Sequence, residues 1–245
     1  TPGAVYKVSE LKIPGLDNIL FTSTEANENN RPQLIVTNKI SLASPIQSLS
    51  FEFVCLNGNG EASYMTDWKN SSYAQSISFT GCAIQNIKRT LVRISDGSGV
   101  FMTDITIDNC VISEVGTDGY GMINFGKNID QLEKVSITNS TLINIGDQLM
   151  DVKGGIGDVI LENCTFYNTR SGAIIVAPCH KEAKWGYVFR DCTIDGNEAA
   201  ANVKKWGVKL GRPWHNSPKT VYIHTTMNIP ISPEGWANMG AIPTL

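Results

Sequence analysis

Histidine is scarce in this chain, and the three present, His180, His215 and His224, share no motif. There is no C-x-x-C pair and no His-rich cluster, so the usual zinc spacings are missing, and neither a metal nor a cofactor is expected. A G-x-S-x-G elbow is also absent, which argues against a Ser-His-Asp hydrolase. Gly58-Asn59-Gly60 and Gly97-Ser98-Gly99 lack the Lys-Ser/Thr that completes a phosphate loop and read as turns. Positive charge is not in excess: 20 Lys and Arg stand against 23 Asp and Glu, and a net charge of −3 gives no electrostatic reason to expect nucleic acid. No apolar run approaches the roughly 20 residues of a membrane span, and Thr1-Pro2-Gly3-Ala4 does not open a signal peptide.

What the chain does have is a short motif that returns. The copies are Ser78-Phe79-Thr80-Gly81-Cys82-Ala83-Ile84, Thr106-Ile107-Asp108-Asn109-Cys110-Val111-Ile112, Ser136-Ile137-Thr138-Asn139-Ser140-Thr141-Leu142, Ile160-Leu161-Glu162-Asn163-Cys164-Thr165-Phe166 and Val188-Phe189-Arg190-Asp191-Cys192-Thr193-Ile194. Apolar or small residues fill the second, fifth and seventh places and a polar pair lies between, which suits a strand, a bend and a second strand. Recurrence every 24 to 30 residues fits a solenoid whose coils bury an inner face only by stacking on one another. The expected fold is all-β, a right-handed parallel β-helix forming a single elongated domain over residues 1–245. Within it, about 1–48 would be irregular or an N-terminal coil, 49–230 the repeated coils and 231–245 a tail. Val221–Met227 extends the series, and Leu49–Phe53 with Cys55 begins it.

Four of the six cysteines, Cys82, Cys110, Cys164 and Cys192, occupy one equivalent place in successive coils. A buried ladder of free thiols is expected, because Ser140 stands in the remaining copy and could replace neither a disulfide partner nor a soft metal ligand.

Each copy is followed by a turn and another strand, as in Leu91–Ser95, Met150–Gly154, Ala173–Ala177 and Val208–Arg212. Period-two alternation points Val92, Ile94, Met150, Val152, Val208 and Leu210 inward. Arg93, Asp151, Lys153 and Lys209 then share an outer face, either as a solvated charged surface or as a site for an anionic saccharide.

Leu210-Gly211-Arg212-Pro213-Trp214 resembles the LGRPW motif of the pectin methylesterases, β-helical carboxylic ester hydrolases. Gly186–Ile194 is similar to the coil that precedes that motif, and Ile231-Ser232-Pro233-Glu234-Gly235-Trp236 to the family's later I-x-P-x-G-W segment. The resemblance is good over about residues 150 to 240 and faint before.

It implies that Arg212 orients a nucleophilic aspartate and that Trp214 lines a sugar site. Counting back from Cys164 places the nucleophile at Asp151, whereas counting forward from Ser140 points to Asp147; alternation favours Asp151. The family's Q-D-T-L acid falls near Thr117-Asp118-Gly119-Tyr120-Gly121, which offers Asp118 without the glutamine. A second family glutamine is replaced by Lys88 and Arg89. Those glutamines form the family's oxyanion site, and losing one oxyanion donor typically costs about 3 to 4 kcal/mol of transition-state stabilisation.

The implied activity is demethylation of uronate esters in a pectin-like acidic polysaccharide, with Asp151, Asp118, Asp147 and Arg212 as catalytic candidates. Trp214, Lys153, Arg93 and Lys209 are the substrate-binding candidates. A calcium-assisted polysaccharide lyase and a noncatalytic glycan-binding β-helix are the alternatives. A secreted, periplasmic or cell-surface monomer without nucleic-acid or membrane-spanning partners completes the expectation.

Overall fold

The computed structural model describes residues 1–96, 99–125, 131–146, 148–152, 156–178, 186–204, 207–213 and 218–239, with the side chains of all but 96, 131, 148, 150–152 and 156–158. These residues build a parallel β-solenoid of about six turns as one elongated domain. One sheet has nine strands, running from Val5–Ile13 through Cys55–Asn57 and Ala83–Ile87 to Thr226–Met227. A second has eight, from Asn18–Thr22 through Ala74–Thr80 and Gln131–Thr138 to Thr220–Ile223. The third side carries Trp68–Lys69, Val92–Asp96, Gly121–Phe125 and Gln148–Val152, and its line continues with Ile174–Val176 and Lys209–Gly211. No helix among the described residues is long and apolar enough to cross a membrane.

Through the repeated motif the paired strands keep one register, so each motif position becomes a column running up the inside of the solenoid; the shifts fall outside it, at Val8/Glu10 and Trp68/Lys69. Phe21, Phe51, Phe79, Ile107, Ile137, Leu161, Phe189 and Tyr222 form one such column. Phe51 lies 5.2 Å from Phe21 and 5.3 Å from Phe79, centroid to centroid, with the rings nearly parallel. Leu56, Ile84, Ile112, Leu142, Phe166 and Ile194 form a second column on the neighbouring sheet. The second and seventh motif places are apolar because they have no other surroundings than the coils above and below.

The polar pair between them makes the bend. Phe53, Gly81, Asn109, Asn139, Asn163, Asp191 and His224, the fourth place of each copy, all adopt φ between 49° and 60°. Asn and Asp tolerate this left-handed conformation because their short polar side chains can bond locally. Here they bond between coils: the Asn139 side-chain amide donates to Asp108 at 2.8 Å, and Asn163 donates to Asn139 at 2.8 Å. Phe53 is the bulky exception, and its ring occupies the space where a Cβ on Gly81 would sit, 2.5 Å from Phe53 Cε1.

The fifth place explains the cysteines. Cys82, Cys110, Cys164, Cys192 and Ser140 are all at most 2% exposed, and the cysteines are free thiols. Each thiol donates to the carbonyl two residues before it and to one in the preceding coil, as Cys164 does to Glu162 and Ile137, both at 3.3 Å. Ser140 donates to Thr138 at 2.7 Å and accepts from the Cys110 backbone N–H at 3.0 Å. In these five coils the position holds a small side chain that donates into the bend, which both Ser and Cys can do.

Phe51 pairs with Phe79, so Val54 takes the ladder position. Cys55 lies one step on, opposite Ala83 and Gln33, and the Gln33 amide reaches its sulfur at 3.8 Å. Burial pushes the Cys55 thiol pKa up.

The segment before the second coil straps the bends together. Arg31 Nε donates to the Gly81 carbonyl at 2.7 Å and Arg31 Nη1 to the Glu28 carbonyl at 3.0 Å, while the Glu28 carboxylate accepts from the Asn109 amide at 3.1 Å.

Candidate active site

The third side of the solenoid holds the candidate site. Arg93, Asn124 and Asp151 share one register position on three adjacent strands, while Val92 pairs with Ile123 and Ile94 with Phe125, all fully buried. The expected alternation therefore holds at Arg93, whose side chain is 24% exposed. Asn124, between Arg93 and Asp151, is only 6% exposed. Parallel strands lie about 4.8 Å apart, so the Arg93 and Asp151 positions are separated by two rungs.

Arg93 is more constrained than a free surface cation. Its Nη1 meets the Asp67 carboxylate at 2.6 Å and its guanidinium lies 4.2 Å from the Tyr64 ring centroid. Asp118 lies in the exposed turn before the Gly121–Phe125 strand, its backbone N–H donating to the Lys88 carbonyl at 2.8 Å. It stands beside the strand rather than on it. The Lys209 side chain is 17% exposed and meets Glu234 at 3.4 Å. The Ser232 hydroxyl, which donates to Glu234, and then Lys209 hold the Glu234 carboxyl below its usual range.

Arg212 follows the Lys209–Gly211 strand, with its backbone N–H bound to the Val176 carbonyl at 2.8 Å. Asp151 and Arg212 thus stand on the same side of the solenoid, on the first and third of three neighbouring strands. Asp147, Lys153 and Trp214 lie outside the described residues, as does the side chain of Asp151.

The two C-terminal motifs meet physically. Ser232 donates to the Val208 carbonyl, Leu210 to Gly235 and Ala237 to Gly211, each at 2.8 Å, so Ile231–Ala237 lies as a further rung on the Lys209–Gly211 strand. A Cβ on Gly211 would come 2.6 Å from Trp236 Cζ3 and 3.0 Å from the Val176 carbonyl oxygen. The glycine before Arg212 is therefore required by the tryptophan of the later segment. Gly211→Ala is expected to lower the melting temperature by several degrees and to displace Arg212. Thermal unfolding checks this, and a variant with wild-type melting would show that Trp236 swings aside without cost.

Sequence reasoning passed over the aromatic partners of this face. Tyr64 and Tyr120 contact Arg89, and Asp67 pairs with Arg93. The available signal was their spacing: Tyr64 pairs with Thr90 one coil on, and Tyr120 precedes the next strand.

These features define a parallel β-solenoid with a polar sheet face joined to a C-terminal rung that carries Leu210, Gly211 and Arg212. The chain belongs to the family described as Domain of unknown function (DUF4957), whose model matches residues 20–145, just over half of the chain. The Pectinesterase family model matches residues 149–243, in agreement with the resemblance read over about 150 to 240 and marking a relationship to that family in the C-terminal part. Two Arabidopsis thaliana proteins are similar. "Putative pectinesterase 63" is 37% identical over 65 residues, 26% of this chain and 17% of that protein. "Probable pectinesterase/pectinesterase inhibitor 64" is 38% identical over 56 residues, 21% of this chain and 9% of that protein. The matched part thus spans under a fifth of either relative's length. No solved structure matches the chain at a significant level.

Proposed function

We propose that this protein is a pectinesterase-like carbohydrate esterase that demethylates uronate esters of a pectin-like acidic polysaccharide. The observation that carries the reading is that Asp151 and Arg212 lie on one side of the solenoid, two rungs apart, within a stretch related to the pectinesterases. The Asp151 carboxylate attacks the ester carbonyl, and the methoxide leaves as methanol with a proton from a second carboxyl, Asp118 or Asp147. Water then attacks the acyl-enzyme, giving its proton to that second carboxylate and freeing Asp151. Arg212 keeps the nucleophile ionised and oriented, since a guanidinium favours the charged form of a carboxylate. Trp214 and Lys153 would line the sugar site with Lys209 and Arg93. A secreted, periplasmic or cell-surface monomer fits a polymeric substrate.

The noncatalytic reading is favoured by one specific observation. The strand between Arg93 and Asp151 presents buried Asn124, and Asp118 lies in the turn outside that strand. A panel of methylated and demethylated pectins, with and without calcium, separates the readings. Metal-independent methanol release is expected from methylated pectin. An unsaturated, ultraviolet-absorbing product that needs calcium would replace the esterase with the lyase, and binding without turnover would leave the noncatalytic module.

A further inference from the structure

The sheet carrying Asp151 begins three strands earlier, and its upstream end holds a group of side chains to which the steps above give no role. Arg89 Nη1 donates to the Tyr64 hydroxyl at 2.8 Å. The Arg89 guanidinium carbon lies 4.8 Å from the Tyr120 ring centroid and 5.7 Å from that of Tyr64, and the two rings stand edge to face, 6.5 Å apart. The guanidinium is therefore fixed between two aromatic surfaces rather than waving in solvent.

Among the described residues no carboxylate lies within ion-pair distance of Arg89, whereas Arg93, on the strand that follows, is taken by Asp67 and Arg190 by Glu162. Asp118 acts on Arg89 through space, favouring its charged form, without an ion pair. Tyr120 remains 39% exposed and is held at φ 101°, a conformation that costs a tyrosine free energy and persists only where its surroundings impose it. The imposition is visible in the two glycines beneath. A Cβ on Gly116 or Gly146 would come 2.6 or 2.4 Å from the Tyr120 carbonyl oxygen, so both coils have given up a side chain to let this turn curl in.

A planar guanidinium that is pre-oriented and, among the described residues, has no carboxylate at ion-pair distance is suited to a carboxylate ligand, which it can hold through two parallel bonds. An exposed aromatic ring beside it offers an apolar surface for the face of a pyranose. We infer that Tyr64, Arg89 and Tyr120 form a subsite for a free uronate residue of an acidic polysaccharide, Arg89 taking the carboxylate and Tyr120 the sugar face. Tyr120 and Arg89 lie one and two rungs from the Asp151 strand, and each stands four residues before the register partner of Asp151 on its own coil, so the subsite is roughly 15 Å from the Asp151 position, within the span of one polysaccharide chain. This deepens the esterase reading, on which it rests for the identity of the polymer. A methyl ester has no charge to offer Arg89, so the protein would select stretches of polysaccharide that are already partly de-esterified.

The test is calorimetric titration of the wild-type protein with an oligogalacturonate in the free-acid form and with a neutral maltooligosaccharide. Neither carries an ester, so binding is read without turnover. The free acid is expected to bind and the neutral sugar not, with affinity falling as salt is raised. Arg89→Gln and Tyr120→Ala should each weaken binding about tenfold or more while thermal unfolding stays near wild type. If Arg89→Gln does not fold, the exposed Tyr120 carries the decision. The inference is overturned if the wild type fails to bind the free acid, if the neutral sugar binds equally well, or if a folded variant binds as the wild type does. Loss of the esterase reading is a separate outcome: Arg89-dependent binding with no methanol release from methylated pectin would leave the subsite standing and remove the esterase alone.

Discussion

Asp151→Asn is expected to reduce methanol release from methylated pectin by at least about a thousandfold, because removing a nucleophile leaves only binding and residual electrostatic stabilisation. The amide keeps the shape of the carboxylate, and its strand is held by backbone pairing to Gly121, Ile123, Asn124 and Phe125, so melting should move little. The companion change, Arg212→Ala, separates positioning from architecture. A misplaced reacting group costs about a hundredfold, and the loss should fall on kcat far more than on KM. If Arg212→Ala lowered stability in the same proportion as activity, the arginine would be structural. If Asp151→Asn remained active, the nucleophile would have to be sought at Asp147 or on another face.

The largest stability effect is expected at Phe79. Its ring is 1% exposed, stacks on Phe51 at 5.3 Å and sits in register with Ile107 on the following coil. Phe79→Ala should cost about 3 to 5 kcal/mol, the range for truncating a buried aromatic whose cavity cannot collapse. Collapse is hindered here because the strand is hydrogen-bonded on both sides, to Ile46–Glu52 and to Phe101–Asp108. Urea denaturation measures the loss, with Val111→Ala as the control: Val111 is 42% exposed and should change stability by no more than about 0.5 kcal/mol. A cost below about 1 kcal/mol at Phe79 would mean that neighbouring coils close over the gap.

The solenoid was readable because stacking forces the same demand on every coil. Once Cys110 must be small and must donate into the bend, so must Ser140, and the repeated demand shows as a repeated residue. In the opening coil Val54 fills the ladder position and Cys55 lies one step beyond it, so the repeat is weakest there. The site was less legible because its residues meet across coils that differ in length: Tyr64, Arg89 and Tyr120 converge on one side without a common motif. Periodicity finds what every coil shares, and a binding face is made of what individual coils do differently. The L-G-R-P-W and I-x-P-x-G-W segments were recognisable as words, yet the reason for the glycine, a tryptophan ring lying against it, belongs to the fold alone.

The strap formed by Glu28 and Arg31 changes how this solenoid would yield to mechanical force. A stack of coils joined only by neighbour contacts can peel from its end, one layer at a time. Here a pull on the amino end would strip the strands Val5–Ile13 and Asn18–Thr22 and then meet Glu28 and Arg31, where going further requires releasing the Asn109 amide and the Gly81 carbonyl, anchors in two later coils, so the unzipping would be arrested there.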